Sequence, residues 1–209
     1  MTKERPILMS TPMVRAILEG RKTQTRRVVN PQSMFDGREA IVKRFPNQTG
    51  SPYGAVGDGM WCRETWRECG SIQNCDDSIP SDGFLCSPDR CRYKADAEWD
   101  GPWRPSIFMP RWACRLTLEV TAVRVERLQD ITEDDARAEG IRQNGDDPAT
   151  ATYDLPEWGY HYLTARNAFL SLWDSINADR KDAKTGERLP YAWRDNPWVW
   201  CISFRRTDR

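Results

Sequence analysis

The run Cys114 to Glu126 constrains the fold of this chain more than any other stretch. Leu116, Leu118, Val120 and Ala122 alternate with Arg115, Thr117, Glu119 and Thr121, so a strand here buries one face and wets the other. At Val123 and Val125 the apolar positions change parity. That change calls for a bulge or a sharp bend, as small barrels use at their corners. A second strand, Asn196 to Phe204, sets Trp198, Trp200, Ile202 and Phe204 on one face and closes the core.

Shorter strands are expected at Pro6–Met9, Thr25–Val29, Met60–Trp66 and, briefly, Tyr93–Ala95. Helices are expected at Thr11–Glu19, at Glu133–Glu139 and at Leu163–Asn177. For the first, Thr11 is the expected N-cap, Pro12 opens the helix and Gly20 ends it. For the second, Thr132 caps a turn of acids and Gly140 is the stop. The third carries Phe169, Leu170, Leu172, Trp173 and Ile176 on a broad apolar face. Trp99 to Trp112 is a packed loop, because Pro102, Pro105 and Pro110 forbid a ladder. The expected class is therefore α+β: a small, mostly antiparallel β-barrel with two or three flanking helices, one domain over 1–209. Long loop insertions fall at about 30–55, 68–92, 142–160 and 179–195, where Pro, Gly and polar residues replace periodicity.

Net charge points to no particular partner, since Lys plus Arg and Asp plus Glu are 31 each. Any basic surface must come from clustering, and Arg21, Lys22, Arg26 and Arg27 form the densest cluster near an apolar helix. Ten Trp residues supply packing units that a disordered chain lacks. No apolar run is long enough to cross a membrane, and Met-Thr-Lys-Glu-Arg-Pro is no signal peptide, so a cytoplasmic chain without membrane partners is expected. Its seven cysteines should then be reduced thiols or metal ligands. No cofactor is expected. A structural zinc on Cys69, Cys75, Cys86 and Cys91 is the lesser alternative, because none of them forms a Cys-x-x-Cys pair. His161 is the sole histidine, which removes histidine-based acid–base chemistry.

Gly20-Arg21-Lys22-Thr23-Gln24-Thr25-Arg26-Arg27 lies on a helix-to-strand turn, where side chains converge on something outside. The plain reading is a solvated charged turn. The mixture favours a site, because a surface turn needs no Lys and Thr three apart. A Thr hydroxyl is a nucleophile only when a base takes its proton, and a Lys is that base only when burial or nearby cations lower its pKa.

These elements together resemble the ASCH family, whose fold is a PUA-like β-barrel. The resemblance rests on the opening helix with Gly20–Arg27, Gly57-Asp58 leading into a strand, and the long strand running into Leu128-Gln129-Asp130-Ile131-Thr132-Glu133. The closing Trp198–Phe204 strand belongs to it too. Met109-Pro110-Arg111-Trp112 and Glu139-Gly140-Ile141 look like the longer version common in bacteriophages and prophages, which places a phage-encoded chain in the host cytoplasm. Well-understood small bacterial members are amidohydrolases that deacetylate N4-acetylcytidine with a Lys, a Thr three residues later and a distant Glu. The resemblance implies Lys22, Thr25 and Glu139 as the catalytic set, and Arg27 falls where that group also keeps an Arg.

The implied function is amide hydrolysis on a modified pyrimidine nucleoside or base. Arg21, Arg26, Arg27, Trp61, Glu64, Trp103 and Trp112 are the substrate-binding candidates; Trp66 lies among the same aromatics. Aromatic faces beside Arg suit a nucleobase, free or in single-stranded nucleic acid. Two alternatives use the same basic cleft: a non-catalytic RNA or single-strand binding module, and an RNA-cleaving enzyme in which Lys22 and the arginines stabilise a phosphorane. The partner is accordingly a nucleoside, a nucleobase or RNA, and the oligomeric state is left open.

Overall fold

A computed structural model describes residues 3–30, 51–68, 91–96, 102–145, 151–154 and 160–207. The element order begins β1 (Glu4–Leu8), α1 (Thr11–Leu18), β2 (Gln24–Val28), β3 (Gly59–Arg63), β4 (Trp66–Glu68) and β5 (Cys91–Tyr93). It continues with β6 (Thr117–Arg127), α2 (Glu133–Ala138), β7 (Arg142–Asn144), β8 (Thr152–Asp154), β9 (His161–Tyr162), α3 (Ala165–Asn177) and β10 (Trp198–Thr207). The principal sheet has the order β1-β3-β6-β10-β2, parallel between β1 and β3 and antiparallel elsewhere.

The parity change in β6 is resolved by a bulge. Ser203 pairs with Ala122 and Phe204 with Val120, so Thr121 is left over. The extra residue keeps Val123 and Val125 on the same face as Val120 and Leu118. The consequence for Ala122 is the reverse of the expectation: it is exposed rather than buried. On β10 burial extends to both faces, since Val199 and Cys201 are buried along with Trp198, Trp200, Ile202 and Phe204.

The expected closed barrel does not form among the described residues. The edge strands β1 and β2 each direct their backbone bonds to an inner neighbour: Met9 N donates to Arg63 O at 3.0 Å, and Val29 N donates to Trp198 O at 2.9 Å. One side chain bridges the gap, with Arg27 Nη2 donating to Leu8 O at 2.6 Å. The result is a mixed sheet with a parted edge.

Other departures are local. The N-cap of α1 is Ser10, because the chain turns helical at Thr11 itself, and the last strand runs on to Thr207. The 142–160 excursion holds the small antiparallel sheet β7-β8-β9, anchored where Tyr153 is buried and its hydroxyl accepts from Arg137 Nη2 at 2.9 Å. Helix α3 starts at Ala165 behind Thr164, whose hydroxyl accepts from Asn167 N at 3.1 Å. Leu163 and Ile176 are exposed, so the apolar face is narrower than its composition suggests.

Two clusters make the core. The larger joins α1 and α3 to the sheet through Val14, Ile17, Phe169, Trp173, Leu118 and Ile202. The smaller gathers Trp61, Trp66, Tyr93, Met109 and Cys114 beneath the proline-rich segment, with Trp112 packed against it. No described helix is long and apolar enough to cross a membrane.

Candidate active site

Helix α1 ends at Gly20, whose φ of +76° is a left-handed conformation glycine adopts without penalty. The chain then turns back onto the helix, with Lys22 N donating to Ala16 O at 2.9 Å. It also meets the end of α2, where Thr23 N donates to Ala138 O at 2.9 Å. Gly140 makes this approach possible, since at φ +99° a Cβ there would lie 3.0 Å from Ala16 Cβ and 3.2 Å from Lys22 Cβ. Lys22 and Glu139 thereby face each other as an isolated antiparallel bridge.

Their side chains complete the contact. Lys22 Nζ donates to Glu139 Oε2, to Glu139 O and to Gln24 O, each at 2.8 Å. Lys22 and Glu139 are both only 3% exposed. Burial pushes the Lys22 ammonium below its ordinary value; the Glu139 carboxylate opposes that shift, and the Arg27 and Arg26 charges reinforce it. An ammonium with three acceptors is fully satisfied, so this pair is held by geometry as well as charge.

Strand alternation divides the neighbours. Thr25 pairs with Ile202 and Arg27 with Trp200, which puts these four on one face. Thr25 is buried, and among the described residues its hydroxyl makes no hydrogen bond. Arg26 points to the opposite face, where Cys201 is its register partner and Arg124 is the partner of Cys201 on the next strand. There its guanidinium donates to Gln24 Oε1 at 2.6 Å, to Glu126 Oε1 at 2.5 Å, to Asp135 Oδ2 at 3.1 Å and to Glu139 Oε1 at 3.2 Å. Burial works against the Arg26 charge, but the Glu139 and Glu126 carboxylates outweigh it and raise its pKa. Arg124 donates to both Glu126 and Asp135, so Lys22, Arg26 and Arg124 are matched by Glu126, Asp135 and Glu139.

Lys22, Thr25, Arg26, Arg27 and Glu139 all line one cavity of about 1170 Å³. The remaining described lining includes Tyr53, Phe169, Trp173, Asn177, Arg180 and Tyr191, none of which the sequence reading assigned to a site. Phe169, Trp173 and Asn177 form an i, i+4, i+8 stripe on α3, and an amide continuing an aromatic stripe was the signal available in the sequence. Tyr191 is drawn in from the 179–195 loop because its carbonyl accepts the Trp173 indole N–H at 2.7 Å.

Several candidates stand elsewhere. Arg21 ties the turn to α2 through Gly140 O at 2.6 Å and pairs with Glu19, outside the cavity lining. Arg26 lines the cavity, yet its donors are engaged by the acids behind β2, so it holds Glu139 rather than a ligand. Trp61 and Trp112 pack in or against the smaller cluster; Trp112 meets the Trp66 ring edge-on at 5.6 Å, and Trp103 is half-buried away from the lining. Glu64 is buried against Arg115 at 3.0 Å; burial raises its pKa and Arg115 opposes the rise. Trp61 and Trp112 share that cluster with Met109 of the proline-rich segment, while Arg115 also pairs with Asp96. Cys91 is a buried cysteine on β5 that forms no disulfide among the described residues, whereas Cys69, Cys75 and Cys86 fall outside the described residues.

A hydroxyl without a hydrogen bond among the described residues thus shares a cavity with a buried ammonium–carboxylate pair, a set suited to nucleophilic attack and proton transfer. No protein-family model and no curated protein matches the chain. Among solved structures it is similar to an ASCH domain from Lactobacillus crispatus JV V101, with 12% identity over 98% of this chain and 79% of the other, at a TM-score of 0.40.

Proposed function

We propose that the cavity is an amide-hydrolysing site for an N4-acylated cytosine nucleoside or base. The observation that supports this reading is the Thr25 hydroxyl, without a hydrogen bond among the described residues, in the cavity that Lys22 and Glu139 also line.

In this mechanism Thr25 Oγ1 attacks the acyl carbon of the substrate. One proton passes from Lys22 Nζ to Glu139 Oε2, leaving a neutral amine beside a neutral acid; burial, which lowers the Lys22 pKa, eases the loss of that proton. The amine takes the Thr25 proton as the C–O bond forms. Glu139 gives its proton to N4 as the C–N bond breaks, releasing the cytosine amine and leaving an acyl ester on Thr25. Water then attacks that ester, and the released carboxylic acid restores the hydroxyl. Arg27 clamps the developing oxyanion; its Nη1 and Nε make no hydrogen bond among the described residues. Lys22 and Thr25 are not hydrogen-bonded to each other, so the amine must swing off the Gln24 carbonyl when substrate enters.

Full occupancy of the Lys22 donors favours a second reading, in which the pair is structural and the cavity only binds a nucleic-acid base. The two part on a direct test. Incubation with N4-acetylcytidine releases cytidine and acetate if the site is hydrolytic. Tight binding of single-stranded RNA with no product would establish the second reading instead.

A further inference from the structure

Glu139 is the sole carboxylate among the described residues that line the cavity, and it is held by Lys22 and Arg26. Arg26 is itself matched by Glu126 and Asp135 behind the strand. Three further cations line the same space: Arg27, Lys94 and Arg180. Among the described residues none of the three has a carboxylate partner; Arg27 meets the Leu8 carbonyl, and Arg180 meets the Asn177 side-chain oxygen at 3.4 Å. The chain as a whole is neutral, so this excess is a property of the cavity and not of the surface at large.

Volume points the same way. At about 1170 Å³ the cavity exceeds the ~300–1,000 Å³ usual for small-molecule sites, which leaves room beyond a base and its sugar. Arg27 is half-buried and Lys94 and Arg180 are exposed; cations gathered around one cleft raise the local concentration of anions within it.

We propose that the ligand of this cavity is phosphorylated, a cytidine nucleotide free or within a strand, with its phosphate held by the Lys94 and Arg180 charges. This rests on the assignment of the site to an acylated cytosine. The base and acyl group lie toward Thr25, and the phosphate lies in the cationic part of the cavity. A nucleoside without phosphate leaves those charges uncompensated and binds more weakly.

Calorimetry with cytidine, cytidine 5'-monophosphate and a short cytidine-containing oligoribonucleotide tests the proposal. The monophosphate is expected to bind about tenfold or more tighter than cytidine. That advantage should shrink in high salt and in Arg180→Gln, whose exposed side chain lies outside the buried ion network. Lys94→Gln, at another exposed lining residue outside the catalytic set, provides a second variant. Equal affinity for cytidine and its monophosphate, or no binding of the monophosphate, overturns the proposal. Tighter binding of the oligoribonucleotide identifies a strand as the source of the phosphate; equal binding identifies the free nucleotide, and both support it. Turnover of N4-acetylcytidine is read separately. Hydrolysis without phosphate preference removes this proposal and leaves the amide chemistry standing, whereas phosphate preference without hydrolysis does the reverse.

Discussion

Lys22 and Glu139, 117 residues apart in sequence, meet through a 2.8 Å ion pair withdrawn from water, and Arg26 grips the other carboxylate oxygen. Breaking such a pair from one side strands a buried charge, which costs about 3–5 kcal/mol. Glu139→Gln should therefore lower unfolding free energy by about that amount in urea denaturation. The exposed Glu19–Arg21 pair offers the contrast, and Glu19→Gln should change stability by no more than about 1 kcal/mol. Similar effects for the two variants would show that the Lys22–Glu139 contact does not behave as a buried pair.

Arg26 acts through Glu139. Without the guanidinium the carboxylate loses its second anchor, and Lys22 loses a cation that depresses its pKa. Arg26→Gln should lower kcat on the order of tenfold or more while KM changes little. Its pH–rate profile should also move toward higher pH. Arg26→Lys should bring the pH profile back toward wild type, since it returns a cation, but should not restore kcat, because one ammonium cannot span Gln24, Glu126, Asp135 and Glu139. A rise in KM alone would mean that Arg26 binds substrate.

The lowered pKa of Lys22 has a thermodynamic signature. Between its folded value and the ordinary 10.5, the unfolded chain holds a proton that the folded chain has released. Stability from this group therefore rises with pH across that window and is lowest below it. Denaturation midpoints of wild type and Lys22→Met, measured across the alkaline range, should show a difference that shifts in favour of wild type as pH rises. A difference independent of pH would contradict the assignment.

Gly140 holds the two halves of the site together. Alanine there must adopt φ +99° and push against Ala16 and Lys22, so Gly140→Ala should cost about 1–3 kcal/mol and reduce turnover. Gly20→Ala has open space around its Cβ and bears only the left-handed backbone, roughly 1–2 kcal/mol, with turnover preserved. Equal turnover in both variants would show that the Lys22–Glu139 approach does not depend on Gly140.

Local chemistry in the sequence revealed much of this. Alternation and a parity change located β6 and its bulge, and Gly20 and Gly140 marked the helix ends where Lys22 and Glu139 now face each other. The face on which each β2 side chain lies depends on pairing with β10, so the sequence alone did not separate Arg26, turned to the acids, from Thr25 and Arg27. The tryptophans divide for a similar reason. Composition shows a stacking surface but not what covers it, and Trp61 and Trp112 serve the smaller cluster while Phe169, Trp173 and Tyr191 reach the cavity. Barrel closure was equally out of sight, because it depends on whether two edge strands meet, and Arg27 fills that gap with a side chain.

The proposed chemistry depends on Thr25. Its hydroxyl makes no hydrogen bond among the described residues, so Thr25→Ala should change stability by no more than about 1 kcal/mol, leaving a folded protein on which activity can be read cleanly. The decisive measurement is cytidine release from N4-acetylcytidine by wild type, Thr25→Ala and Thr25→Ser. Turnover by wild type, its loss in Thr25→Ala and its partial return in Thr25→Ser is the result this mechanism predicts. Undiminished turnover in Thr25→Ala, or none by wild type, would contradict it.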